Sequence, residues 1–102
     1  MMELVVLLRA EADSQRIYNR LENFQDGRGE LFLLHLDEAF LQLQNFPEIA
    51  PVFRPPYRRK LLRGFPYGVI YSLEGDRIVV LTIAPLRQDP DKLKAMLDDP
   101  HS

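Results

Sequence analysis

The 102-residue chain has no cysteine, only two histidines, and no apolar run long enough to span a membrane. Without thiols there can be no disulfide and no thiolate metal site, and a reducing cytoplasm is the expected setting. His35 and His101 lie in unrelated segments and no acids stand at ligand spacing, so neither a metal site nor a cofactor is expected. The opening MMELVVLLRAEA is far shorter than a membrane span and starts acidic rather than basic. It is therefore expected to be a folded strand, with no signal peptide, no transmembrane helix and no membrane partner. Glycine-rich phosphate loops, nucleophile–histidine–acid sets, repeats, linkers and low-complexity tracts are also missing. One further absence is local: no Asp or Glu occurs between Glu48 and Glu74.

What is present suits one globular domain spanning residues 1–102, large enough for a single core and too small for two. Hydrophobic residues make up 46% and charged residues 27%, which excludes disordered and fibrous classes. A formal net charge of −2 argues against a surface wholly devoted to nucleic acid. The carboxylate-free stretch nevertheless holds Arg54, Arg58, Arg59, Lys60 and Arg63, and Arg87 follows. Such a cluster is either a surface built to meet something negative or a solvated strand edge guarded against unwanted pairing.

Periodicity predicts an α+β fold: a two-helix hairpin packed on a small twisted antiparallel sheet, in the order β-α-α-β-β-β plus a short C-terminal helix. The first strand is Glu3 to Leu8. Helix one runs from about Ala10 to Phe24, with Ala10, Ile17, Leu21 and Phe24 inward and Asp13, Arg16, Arg20 and Glu22 in solvent. Gly27 supplies the left-handed conformation that closes it. Helix two runs from about Glu30 to Phe46 on a stripe of Phe32, Leu36, Ala39, Phe40, Leu43 and Phe46. Leu31, Leu34 and Leu41 widen that stripe enough to suggest contact with two layers. Pro47 ends the helix, and Pro47 to Pro56, with four prolines, is a stiff connector barred from a central ladder.

Next come the basic segment RRKLLR, a GFPY corner and a strand whose Tyr67, Val69, Tyr71 and Leu73 share one face, with Ile70 on the other. Glu74-Gly75-Asp76 forms a hairpin turn into Arg77 to Ala84, apolar on both faces as the innermost strand would be. Asp89 caps a last helix with Pro90 in its first position. The stripe of that helix, Leu93, Met96 and Leu97, must fold back on the sheet or bind another chain. Tyr67 and Tyr71 read as core aromatics rather than base-stacking groups. His35 reads as a packed helical residue, with no carboxylate or nucleophile in a helical relation that makes a relay, and Glu48 as a loop carboxylate rather than a base.

The order of these elements resembles the RelE/ParE superfamily of toxins from bacterial type II toxin–antitoxin systems, a plasmid-stabilisation-like group. The resemblance spans nearly the whole chain. It is carried by Asn45-Phe46-Pro47-Glu48-Ile49, by Arg59 with Leu61 and Leu62, by Phe65-Pro66-Tyr67 with Val69, Ile70 and Tyr71, and by Arg87-Gln88-Asp89-Pro90. It implies a compact cytoplasmic toxin neutralised by a small cognate antitoxin, for which Leu93, Met96 and Leu97 are candidate contacts. It also implies Arg58, Arg59, Lys60, Arg63 and Arg87 as target-binding residues.

Two activities occur among such toxins. Ribosome-dependent cleavage of messenger RNA needs a proton carrier beside cations, for which Arg63 and Arg87 are the catalytic candidates. Where many relatives have a histidine before the exit-loop arginine this chain has Pro85, and after Pro90 its only ring is His101. Inhibition of DNA gyrase needs binding alone and suits this residue set better. A non-toxic relic that keeps the antitoxin groove is the third reading, and self-association, as a homodimer when antitoxin is absent, is left open.

Overall fold

In the computed structural model, which describes residues 1–98, the chain runs β1 (Glu3–Val6), α1 (Leu8–Phe24), α2 (Arg28–Asn45), β2 (Val52–Arg54), β3 (Tyr57–Leu61), β4 (Tyr67–Glu74), β5 (Arg77–Pro85), α3 (Pro90–Asp98). His101 lies outside the described residues. The strands form one sheet in the order β1-β5-β4-β3-β2. The sheet is mixed rather than wholly antiparallel: β1 lies parallel to β5, in the register Glu3↔Arg77 to Val6↔Val80. The α1–α2 hairpin separates β1 from the other strands, so no tight turn dictates its direction. The middle place goes to β4, with β5 beside it rather than innermost. The proline-rich connector joins the sheet only as the three-residue edge strand β2, as its prolines require. Among the described residues no helix is long and apolar enough to cross a membrane.

One face of the sheet carries the main core. Phe32, Leu36 and Leu43 of α2 and Ile17 of α1 pack on Tyr67, Val69, Tyr71, Ile78 and Val80. The hairpin covers one face, and β4 splits as its alternation requires, with Ile70 on the other side. On that second face Leu97 of α3 is buried with Ile70, Leu81 and Ala84, and Leu93 packs against them. Asp89 opens α3, its Oδ1 accepting from Asp91 N at 2.9 Å and its carbonyl from Leu93 N at 3.1 Å. The C-terminal stripe thus folds back on the sheet.

Several side chains sit elsewhere than the periodicity predicts. Asp13 is buried, not solvated. β1 stops at Val6, opposite Val80, so β5 continues without a neighbour on that side. Asp13 stands in for the missing strand: its Oδ2 accepts from the Thr82 hydroxyl and, at 3.2 Å, from Ile83 N, while Arg16 Nη2 holds Oδ1 at 2.8 Å. Glu22 is half-buried, and its carboxylate caps α2 through Gly29 N at 2.8 Å and Gly27 N at 3.2 Å. Gly27, at φ 85°, begins the second helix rather than closing the first.

Phe24 keeps the inward phase of α1 but is exposed, as is Phe46. These residues close their helices where the inward face no longer meets the sheet. Leu31, Leu34 and Leu41 are also exposed, so α2 packs on one side only and the two-layer expectation fails.

Candidate functional site

The alternation of a strand sends its neighbouring side chains to opposite faces, and β3 divides its cations accordingly. Arg58 and Lys60 turn toward the helix side, and Arg59 toward the second face. Arg58 is committed to the fold: its Nη1 donates to the carbonyls of Ala50 at 2.8 Å and Glu48 at 3.3 Å. Tyr71 adds a third tie, donating its hydroxyl to Pro47 O at 2.7 Å. Together these bonds satisfy carbonyls of a connector whose prolines keep it out of the ladder.

Lys60 and Arg63 meet in a notch of about 80 Å³ beneath α2, beside His35, Glu38 and Gln42. Arg63 is exposed at the corner before Gly64. On the second face the Arg59 guanidinium lies over the Phe53 ring at 5.1 Å, its stem passing Gly68, where a Cβ would come within 2.9 Å of Arg59 Cγ. There it lines a pocket of about 240 Å³ with Phe53, Ile70, Leu86, Gln88 and Leu93. Gln88 Oε1 is buried there without a hydrogen-bond partner. Arg87 is exposed on the exit loop, which is fastened to the corner by Leu86 N donating to Pro66 O at 3.0 Å.

The cations therefore form a belt around one end of the sheet, with Lys60 and Arg63 on one side of the corner and Arg59 and the loop of Arg87 on the other. Arg54, a turn away, pairs with Asp98 at 3.2 Å. Among the described residues, Arg59, Lys60, Arg63 and Arg87 make no salt bridge. Leu97 is buried and Leu93 and Met96 half-buried, so the stripe of α3 is turned largely inward.

Among the described residues, the histidine beside Lys60 and Arg63 is His35. His35 is not without a carboxylate: Glu38, one helical turn on, lies with Oε2 3.5 Å from Nδ1, a relation that the helical period makes visible. The ring also packs against Phe65 at 5.8 Å, and Nδ1 is buried without a hydrogen bond. The 80 Å³ notch beside it falls well below the roughly 300 Å³ at which small-molecule pockets begin. Tyr18, Tyr57 and Tyr71 are shifted the wrong way for a base. Burial pushes the Tyr71 and Tyr57 hydroxyls up, and the hydrogen bond to Glu30 raises that of Tyr18. Tyr67 and Tyr71 are both core residues, Tyr67 meeting Phe32 edge-on at 5.9 Å. No three His, Cys, Asp or Glu side chains among the described residues gather to hold a metal.

Residues 4–90 match the family model described as ParE toxin of type II toxin-antitoxin system, parDE. A chain from the chromosomal ParDE toxin–antitoxin system of P. aeruginosa superposes with a TM-score of 0.74 at 22% identity, covering 83% of this chain and 96% of that one. A copper-bound mutant toxin from Helicobacter pylori superposes with a TM-score of 0.57 at 18% identity, covering 83% of this chain and 94% of that one. These likenesses concern the fold. No curated protein matches the sequence.

Proposed function

The chain belongs to the ParE family of type II toxin–antitoxin toxins, and on that footing we propose that it acts in the cytoplasm by binding DNA gyrase, held in check by a cognate antitoxin. The observation that carries this reading is a belt of guanidinium and ammonium groups, Arg59, Lys60, Arg63 and Arg87, that make no salt bridge among the described residues. Lys60, Arg63 and Arg87, with Arg59, make the target contact, and Arg58 supports them by holding the connector. Such a surface attracts an acidic protein patch or a protein–DNA assembly through its field, and specificity follows from the placement of its charges. Cleaving RNA would ask in addition for a group poised to take a ribose proton. Tyr18, Tyr57 and Tyr71 hold their protons more tightly than free tyrosine, and His35 is hemmed in.

The test is a supercoiling assay with purified gyrase. The chain inhibits supercoiling, and the double variant Arg63→Ala, Arg87→Ala inhibits at least about tenfold less well, the scale expected on losing two central charged contacts. Codon-specific cuts in translated messages without gyrase inhibition would transfer the belt to RNA cleavage. Expression without growth arrest would mark the chain as a relic that keeps the fold.

A further inference from the structure

The second face of the sheet holds a pocket whose apolar walls the target contact leaves unexplained. It lies between β3, the exit loop and the start of α3, and its volume is about 240 Å³. That exceeds the roughly 150 Å³ that accommodates a benzene ring and falls short of the roughly 300 Å³ at which drug-sized sites begin. Its occupant is therefore one small ring system with few substituents.

Polar groups in the pocket are sparse. Apart from Arg59 and Gln88 the lining side chains are hydrocarbon, and two of those residues, Pro85 and Pro90, have no backbone N–H to offer. Arg59 is fixed before any ligand arrives. Its stem lies against Gly68, where a Cβ would come within 2.9 Å of Cγ, and its guanidinium rests on the Phe53 ring at 5.1 Å. The ring takes the face of the guanidinium and leaves the N–H donors on its edge for a carboxylate. No acid among the described residues pairs with it. Gln88 brings the complementary need, since its Oε1 is buried without a partner, a state that costs stability until a donor arrives. With no hydrogen bond to hold that oxygen, the amide is free to turn it toward a donor in the pocket.

We propose that this pocket binds a small aromatic carboxylate that also carries a ring N–H. The carboxylate takes the Arg59 fork, the N–H donates to Gln88 Oε1, and the ring lies among Ile70, Leu86 and Leu93. Such an occupant joins β3 to α3, a nine-residue helix with little stability of its own. The inference stands on this geometry and not on the identity of the target.

The experiment titrates the purified chain with indole-3-acetate and follows backbone amide shifts by two-dimensional NMR. Binding with a Kd below about 1 mM is expected, as suits a ligand of this size. In the wild-type chain the shifts centre on Phe53, Arg59, Gly68, Gln88 and Leu93, a readout that needs no variant to fold. Benzofuran-3-acetate keeps the carboxylate and the ring shape but puts an oxygen where the N–H stood, and is expected to bind at least about fivefold more weakly. Arg59→Met, which keeps an apolar stem over Gly68, is expected to weaken indole-3-acetate at least about tenfold. Gln88→Leu is expected to abolish the preference for indole-3-acetate over benzofuran-3-acetate. Arg77→Met, at the far end of β5, is expected to leave the Kd unchanged. Equal binding of the two acids by the wild-type chain, undiminished binding by Arg59→Met, or shifts spread over the outward cations instead of the pocket overturns the site. So does a wild-type chain that shows no binding at about 1 mM. Each of these results leaves the gyrase reading as it was.

Discussion

On the hairpin side of the sheet, Phe32, Leu36 and Leu43 close over Tyr67, Val69 and Tyr71, with Ile17 arriving from a second helix. On the other side Ile70, Leu81 and Ala84 are covered by Leu97 and Leu93 of a single nine-residue helix, helped at the margin by Phe53 and Tyr57. The first side is a two-helix lid whose tip is itself braced, by the Glu22 carboxylate on the start of α2 and by Arg28 over Phe65 at 4.5 Å. The second is a patch, because a helix of this length has little stability of its own and takes what it has from the surface beneath it. The difference suggests a division of labour in which the hairpin face holds the fold and the second face is free to carry Arg59, Gln88 and the exit loop.

Core truncations test that division most sharply. Phe32→Ala should cost about 4 kcal/mol, since the ring is fully buried and meets Phe65 and Tyr67 edge-on. Leu97→Ala should cost about 2 kcal/mol, the low end for a buried leucine, because α3 can shift to close the gap. Urea unfolding of both variants decides the matter, and equal losses would break the distinction between the faces.

Tyr71→Phe refines the hairpin side. At neutral pH it should cost about 1 kcal/mol, the usual worth of the hydrogen bond to Pro47 O. At alkaline pH the gap narrows. Burial raises the Tyr71 pKa, so the folded chain keeps a proton that the unfolded chain gives up near pH 10. That contribution is complete below about pH 10 and is lost as pH rises through the folded value. The variant lacks the group and should lose stability less steeply above pH 10 in a thermal melt series. Parallel curves for the two chains would show that Tyr71 ionises as freely folded as unfolded.

Much of this architecture is legible in the chain because it is local. The alternation of Tyr67, Val69 and Tyr71 sorts the faces of β4, and Asp89-Pro90 announces α3. Asp13 is not legible, since a charged residue is assigned to solvent by default. Its partners, Thr82 and Ile83, come near only because β1 stops short of them. Phe24 misleads in the opposite sense, keeping helical phase where the inward face no longer meets the sheet. The parallel pairing of β1 is equally hidden, as nothing short-range orients a strand entering from a helical hairpin. At the candidate site the composition of the cation belt is plain, but not its division: alternation parts Arg59 from its neighbours, and carbonyls of the connector occupy Arg58.

The smallest expected effect isolates what keeps α3 in place. Arg54 Nη2 lies 3.2 Å from Asp98 Oδ1, with the two side chains 42% and 58% exposed, and this is the one salt bridge joining the helix to the sheet among the described residues. At that exposure water and salt screen the attraction, and ordering two side chains offsets much of the remainder. Arg54→Ala should therefore change stability by no more than about 0.5 kcal/mol, and added salt should hardly alter the difference from wild type. A loss above about 1 kcal/mol that shrinks in high salt would mean that α3 is held electrostatically. The second face would then open with ionic strength rather than with loss of Leu97, and its contrast with the hairpin face would be one of charge instead of buried area.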